Sequence, residues 1–351
     1  MRRRLALTAG LSLVAALALQ AGTPAPAGAG GAYQVRAFGG ARALGSPGGA
    51  LNAPLVGIAA TPRGNGYWLL AQDGGIFSYG GARFYGSTGN MHLNQPVVGI
   101  AATPRGSGYW LVASDGGIFT FGRARFYGST GAMHLNSPIV GMASTPTGRG
   151  YWLVAADGGI FTFGDARFYG SAGGFYLGAP VVGITTTRRG HGYWLATANG
   201  HVLHFGDARA LPGVASPTPI VGLARTATGA GLWLVASNGA VYTSGRARYA
   251  GGATGGLVQA AGIARGAHGY WVALGPSGRS GMPWMSIGLP LDDTAKRSVH
   301  GRVRSPDGDD VTFEYTWCTP TDGRPCRPDT RYVCETRPFA STSQIRCCAF
   351  E

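Results

Sequence analysis

Along residues 96–137, PVVGIAATPRGSGYWLVASDGGIFTFGRARFYGSTGAMHLNS, short apolar stretches alternate with breaks rich in Gly, Pro, Asp and Ser. Residues 97–103 are apolar but small, with Gly99, Ala101 and Ala102. Residues 108–114 put Tyr109, Leu111 and Ala113 on one alternating face and Trp110 and Val112 on the other, so both faces are apolar. Residues 117–121 and 124–128 are aromatic and β-branched, the composition strands favour. The pattern predicts four strands. Asp115-Gly116 predicts a tight type I′ hairpin between the second and third. Residues 104–108 make a looser turn, and 129–137 a longer connection.

The pattern recurs at 54–95 and 138–179, and more loosely from Pro180 and Pro219. A repeat of about 40 residues is one supersecondary unit that buries its faces only against its neighbours. Second strands apolar on both faces require a sheet covered on either side. Small first strands fit innermost strands crowded around an axis. Together they predict the blades of a β-propeller; a linear solenoid is the alternative and would need polar caps. The ends of the array favour the ring. Second-strand tryptophans fall at 68, 110, 152, 194, 233 and 271, and arginines of the fourth predicted strand at 42, 83, 125, 167, 209 and 248. The first arginine has no tryptophan before it and the last tryptophan no arginine after it. Residues 33–45 thus supply an outer half-repeat and 259–274 an inner one. The expected fold is all-β: a six-bladed propeller of four-stranded repeats of about 42 residues, closed by half-repeats from both termini, plus a cysteine-containing tail.

Composition adds an address. Residues 1–21 combine Arg2, Arg3 and Arg4 with an apolar run over 5–19, followed by small residues, the pattern of a secretory signal peptide. Cleavage after Ala21, Ala27 or Ala29 fits, twin-arginine export has weak support, and no cysteine near the cleavage region points to a lipid anchor. Residues 22–31 read as a flexible linker, 32–281 as the repeat ring and 282–351 as a separate tail. No later stretch predicts a membrane-crossing helix. The expected location is secreted or at the cell envelope.

The 351-residue chain carries a net charge of +14, unevenly placed. Residues 24–281 hold 17 arginines, no lysine, five aspartates and no glutamate. A cationic exported ring suits anionic wall polymers or acidic glycans through its field; export and the lack of a basic recognition motif disfavour nucleic acid. Stem packing of arginines at fixed repeat positions is the plainer reading. The tail loses glycine and holds Cys318, Cys326, Cys334, Cys347 and Cys348. An odd set in an exported chain fits two disulfides and a spare thiol, with pairing open. A stapled appendage and a non-native tail from a shifted reading frame both fit the compositional break.

Catalytic signatures are scarce. No G-x-S-x-G elbow occurs. Asp73, Asp115 and Asp157 sit in hairpin turns where later units carry Asn199 and Asn238, which suits turn geometry and not proton transfer. Asp165 and Asp207, two residues before Arg167 and Arg209, predict local ion pairs or turn contacts. The tryptophan and Phe-Tyr stripes follow the blade period and read as core. The best candidate ligand site lies in the connections between blades, where His92, His134 and Tyr176 take one position and Asn94 and Asn136 another. These five could stack on and hydrogen-bond a sugar or peptide; the plainer reading has the histidines facing water. No catalytic residue, cofactor or metal site is expected.

At residues 108–129, GYWLVASDGGIFTFGRARFYGS, and its copies, the chain resembles repeats of exported actinobacterial proteins of largely uncharacterised role. That resemblance covers residues 32–281 and implies propeller-like arrays that accompany wall-associated or hydrolase domains. The Ser-Asp-Gly-Gly turn superficially resembles the Asp-box of sialidase propellers but departs in spacing, and the ring lacks their glutamate. The expected function is a non-catalytic binding or scaffolding propeller recognising a cell-wall polysaccharide, an anionic envelope polymer or a protein. The alternative is a hydrolase or lyase working in the channel, which scarce carboxylates disfavour.

Overall fold

The second strand of each repeat is the hub of a three-stranded antiparallel sheet. In a computed structural model, residues 33–255 and 258–276 are described in full, and 298–304, 310–316, 332–339 and 342–349 by their backbone. The expected signal peptide, the linker, Cys318 and Cys326 lie outside the described residues. The residues fall into two compact units, 1–287 and 288–351.

In the first unit, β1 (Gln34–Phe38) precedes five complete sheets. These are β2 (Leu55–Ala60), β3 (Gly66–Ala71) and β4 (Ile76–Gly80); β5 (Val97–Ala102), β6 (Gly108–Ala113) and β7 (Ile118–Gly122); β8 (Ile139–Ser144), β9 (Gly150–Ala155) and β10 (Ile160–Gly164). Then come β11 (Val181–Thr186), β12 (Gly192–Thr197) and β13 (Val202–Gly206), followed by β14 (Ile220–Arg225), β15 (Gly231–Ala236) and β16 (Val241–Gly245). The sixth sheet joins β17 (Val258–Arg265) and β18 (Tyr270–Pro276) to β1, which pairs with β18 from Gln34↔Leu274 to Phe38↔Tyr270. The inner strands β2, β5, β8, β11, β14 and β17 neighbour one another in a closed cycle. The ring has six blades, shut by the two half-repeats.

Small inner residues permit that closure. A Cβ on Gly99 would lie 3.4 Å from the Gly141 Cα, and one on Gly222 3.3 Å from the Gly262 Cα. Each inner strand also carries a bulge, as between Val97 and Gly99, which sharpens its twist near the axis.

The core lies between the blades. The second strands β3, β6, β9, β12 and β15 are buried along their length, with Tyr (Leu232 in β15) facing the preceding blade and Trp the following one. Trp68 meets Tyr109 at 5.5 Å between ring centroids, Trp110 meets Tyr151 at 5.8 Å, and Trp271 meets Tyr67 at 5.0 Å across the closure. Each buried tryptophan withdraws roughly 200 Å² from water, worth about 5 kcal/mol at about 25 cal/mol per Å². Blade-to-blade packing therefore carries the fold.

Two local expectations change. The predicted fourth strand is an extended segment outside any ladder, so the blades have three strands and not four. Side chains take its backbone groups instead. The Trp68 indole N–H donates to the Arg83 carbonyl at 2.8 Å, the Tyr85 N–H to the Tyr109 hydroxyl, and that hydroxyl to the Gly86 carbonyl. The same set recurs in the next two blades. Nor is the Asp-Gly hairpin a two-residue type I′ turn. The Gly116 N–H bonds the Ala113 carbonyl over Ser114-Asp115, and Gly116 follows at φ +80°. That is a type I turn closed by a left-handed glycine. The aspartate keeps its expected turn role: Asp115 Oδ1 accepts the Gly117 N–H at 2.8 Å.

In the second unit, β19 (Ser298–Arg304) pairs with β20 (Asp310–Thr316), and β21 (Tyr332–Phe339) with β22 (Thr342–Ala349). The β21–β22 register sets Cys334 opposite Cys347.

Candidate functional site

Strand direction gives the ring two ends of different chemistry. Turns from first to second strands and the exits of third strands share one end. These turns touch around the circle: Gly106 lies against Pro62, Gly148 against Pro104 and Gly64 against Ala267. The second-to-third-strand turns and the connections between blades share the other end, where the Thr88 N–H donates to the Gly74 carbonyl. Of the 16 arginines between Tyr33 and Pro276, all but Arg36 stand at the first end, with Asp165 and Asp207. Among the described residues the second end has no arginine and holds Asp73, Asp115 and Asp157.

All five sequence-predicted residues lie at this second, acidic end, and all are exposed. His134 and Asn136 line a cleft of about 410 Å³ with Asp157, Phe161 and Phe168. Tyr176, 98% exposed, lines an adjoining cleft of about 370 Å³ with Phe175, and Ser137 and Asp157 border both. His92 and Asn94 occupy the equivalent connection one blade earlier and line neither cleft. The connection is pinned by its leucine: Leu93, Leu135 and Leu177 pack into successive inter-blade cores, while Met91 and Met133 stay exposed.

Two residues gain a place that spacing did not give them. Asp157 reads from sequence as a turn residue, and Oδ1 does accept the Gly159 N–H at 2.8 Å, yet the residue also lines both clefts. Phe168 reads as core but is 60% exposed, as are Phe84 and Phe126 at 58% and 61%. Only the tyrosine of each Phe-Tyr pair turns inward, bonding the next blade. No alternation marked it: the buried Ala166 and Ala172 and the half-buried Tyr169 fall three residues apart, out of step with a strand period of two. Of the two roles expected for Asp165, an ion pair or a turn contact, it takes the second: its carboxylate accepts the hydroxyl of Thr147 in the first-to-second-strand turn.

Chemically, the second end offers exposed aromatic rings beside imidazole, amide and carboxylate groups in shallow clefts. Such surfaces stack on flat apolar faces and hydrogen-bond hydroxyls. Among the described residues no group of three His, Cys, Asp or Glu side chains could hold a metal ion, and no helix is long and apolar enough to cross a membrane.

The fold and its two ends define a β-propeller. No model of a known protein family matches the chain, and no curated protein matches it. Among solved structures it is similar to the Myceliophteria thermophila Cps50 (Swd1) beta-propeller domain, at 10% identity and a TM-score of 0.39. That match covers 55% of this chain and 65% of the domain, so the chain spans less than two thirds of its length.

Proposed function

We propose that this protein is an exported, non-catalytic binding propeller that recognises a glycan-rich envelope polymer through the acidic end of the ring. The observation that carries the reading is the pair of adjoining clefts in which Tyr176 and Phe168 expose their rings beside His134, Asn136 and Asp157. An exposed aromatic ring is costly to leave in water without a partner and stacks well on a sugar face. The repeated connections present such positions on several blades, so weak contacts add along a polymer. Export rests on the basic and apolar pattern of residues 1–21. The acids of the ring support binding over hydrolysis: Asp73, Asp115 and Asp157 each accept a backbone N–H in their own turn.

Retention on purified cell-wall polysaccharide tests the reading. The intact chain is expected to be retained without turnover, and Tyr176→Ala and His134→Ala to weaken retention several-fold. Equal retention by the double variant, or product release, would overturn it.

A further inference from the structure

The repeat supplies its own control for a second site, at the opposite, arginine-bearing end. The last inner-strand residue, paired with the aromatic or leucine at the start of the second strand, is Ala60, Ala102, Ser144 and Thr186 in the first four blades. In the last two it is Arg225 and Arg265. The turn position that holds Pro62, Pro104 and Pro146 holds Arg188 in the fourth blade. Three departures from the repeat, all to arginine, thus fall in three consecutive blades around one arc of the ring mouth.

Their surroundings are short of negative charge. Arg225 is partly buried; desolvation lowers its pKa first, and the charges of Arg265 and Arg188 lower it further. Guanidinium groups carry five N–H donors. Arg225 spends one, on the Thr226 carbonyl at 3.4 Å, and Arg265 two, on the Gly266 and Pro62 carbonyls at 3.4 Å each. Among the described residues no carboxylate pairs with either. Beside Arg265 a cavity of about 500 Å³ opens between the fifth and sixth blades, lined also by Arg246, Arg248, His268 and Tyr249. Like charges gathered on a half-buried site, with donors to spare and a cavity alongside, are the complement of a multiply charged oxyanion.

We infer that Arg188, Arg225 and Arg265 form a binding site for a phosphate- or sulfate-type oxyanion at the mouth of the ring, with the adjoining cavity taking the group attached to it. Forked guanidinium donors match tetrahedral oxyanions, which supply several acceptors at once. This site is independent of the glycan clefts at the other end and stands or falls without them.

The test is calorimetric titration of the intact chain at fixed low ionic strength with inorganic phosphate and, separately, with poly(glycerol phosphate). Arg225→Ala and Arg265→Ala restore the residue of the first two blades, and Arg188→Pro restores the turn proline, so these variants suit the local fold. Phosphate is expected to bind at one site, each variant weakening it at least about tenfold. Arg105→Ala, across the ring, and Tyr176→Ala, at the other end, are expected to leave it unchanged. Tighter binding of the polymer assigns the oxyanion to a phosphodiester chain, and equal binding assigns it to a free small anion. No binding of either probe, or an equal loss in Arg105→Ala, which would mean a diffuse field, overturns the proposal. Should Arg225→Ala fail to fold, the phosphate-dependent rise in melting temperature of the unaltered chain, compared with Arg188→Pro, decides the matter: an equal rise in both overturns it.

Discussion

The Trp271 indole N–H donates to the Arg42 carbonyl oxygen at 2.8 Å across 229 residues of chain. The same bond forms within each complete blade between partners only 15 residues apart, as from Trp68 to Arg83 and from Trp110 to Arg125. The closing blade is therefore chemically equivalent to the others, although its strands come from both ends of the repeat array.

Trp271→Phe removes that bond and leaves the Arg42 carbonyl without its donor. A loss of about 1–3 kcal/mol is expected, read as a fall in melting temperature of about 2–4 °C per kcal/mol. Trp68→Phe should cost a similar amount. Only Trp271→Phe is expected to speed amide exchange over β1, because only there does the bond tie down a strand from far along the chain.

Removal of residues 33–45 leaves the outer edge of β18 unpaired. Open edges template pairing with other chains. Size-exclusion chromatography is expected to show oligomers, and thermal unfolding to lose cooperativity. A monomer with unchanged melting temperature would contradict closure as a source of stability.

Gly116 has φ +80°, and a Cβ there would lie 1.7 Å from Thr130 Oγ1. Gly116→Ala is expected to destabilise by more than about 1 kcal/mol, since strain and overlap act together. Gly48→Ala, where a Cβ meets nothing within 4 Å, should be close to neutral. Urea unfolding of the two variants measures the contrast.

Alkaline pH should weaken the ring. Burial raises the pKa of Tyr67, Tyr109, Tyr151, Tyr193 and Tyr270 above the usual phenol value. With the folded pKa above the unfolded one, the stabilisation is fully present below about pH 10. It declines as pH rises, because the unfolded chain releases these protons first, at up to about 1.4 kcal/mol per pH unit for each group. Denaturant unfolding at pH 8 and pH 11 is expected to show the loss, and Tyr109→Phe to reduce it.

The blade count was legible because Trp and Arg recur once per repeat and come out of step at the ends, at Arg42 and Trp271. The second-strand faces were legible too, since a strand apolar on both alternations has only buried faces to offer. The fourth strand was not. Residues 124–128 have strand composition, but the Trp110 indole and the Tyr151 hydroxyl reach their backbone before any neighbouring strand can. For the same reason Phe126 faces solvent although its neighbour Tyr127 does not. At the candidate clefts, sequence placed His134, Asn136 and Tyr176 in one kind of connection. That Asp157 lines the same clefts depends on how one blade's hairpin abuts the next blade's connection.

Sequence by itself determined the unit, the number of units and the residues that hold neighbouring units together, because each repeats on the scale of one blade. Tertiary structure alone decided the sorting of charge. Arg188, Arg225 and Arg265 lie far apart along the chain and break the repeat in different ways. Only bending the array into a circle brings first-strand ends and their turns to a common rim, where side chains from successive blades converge about one axis.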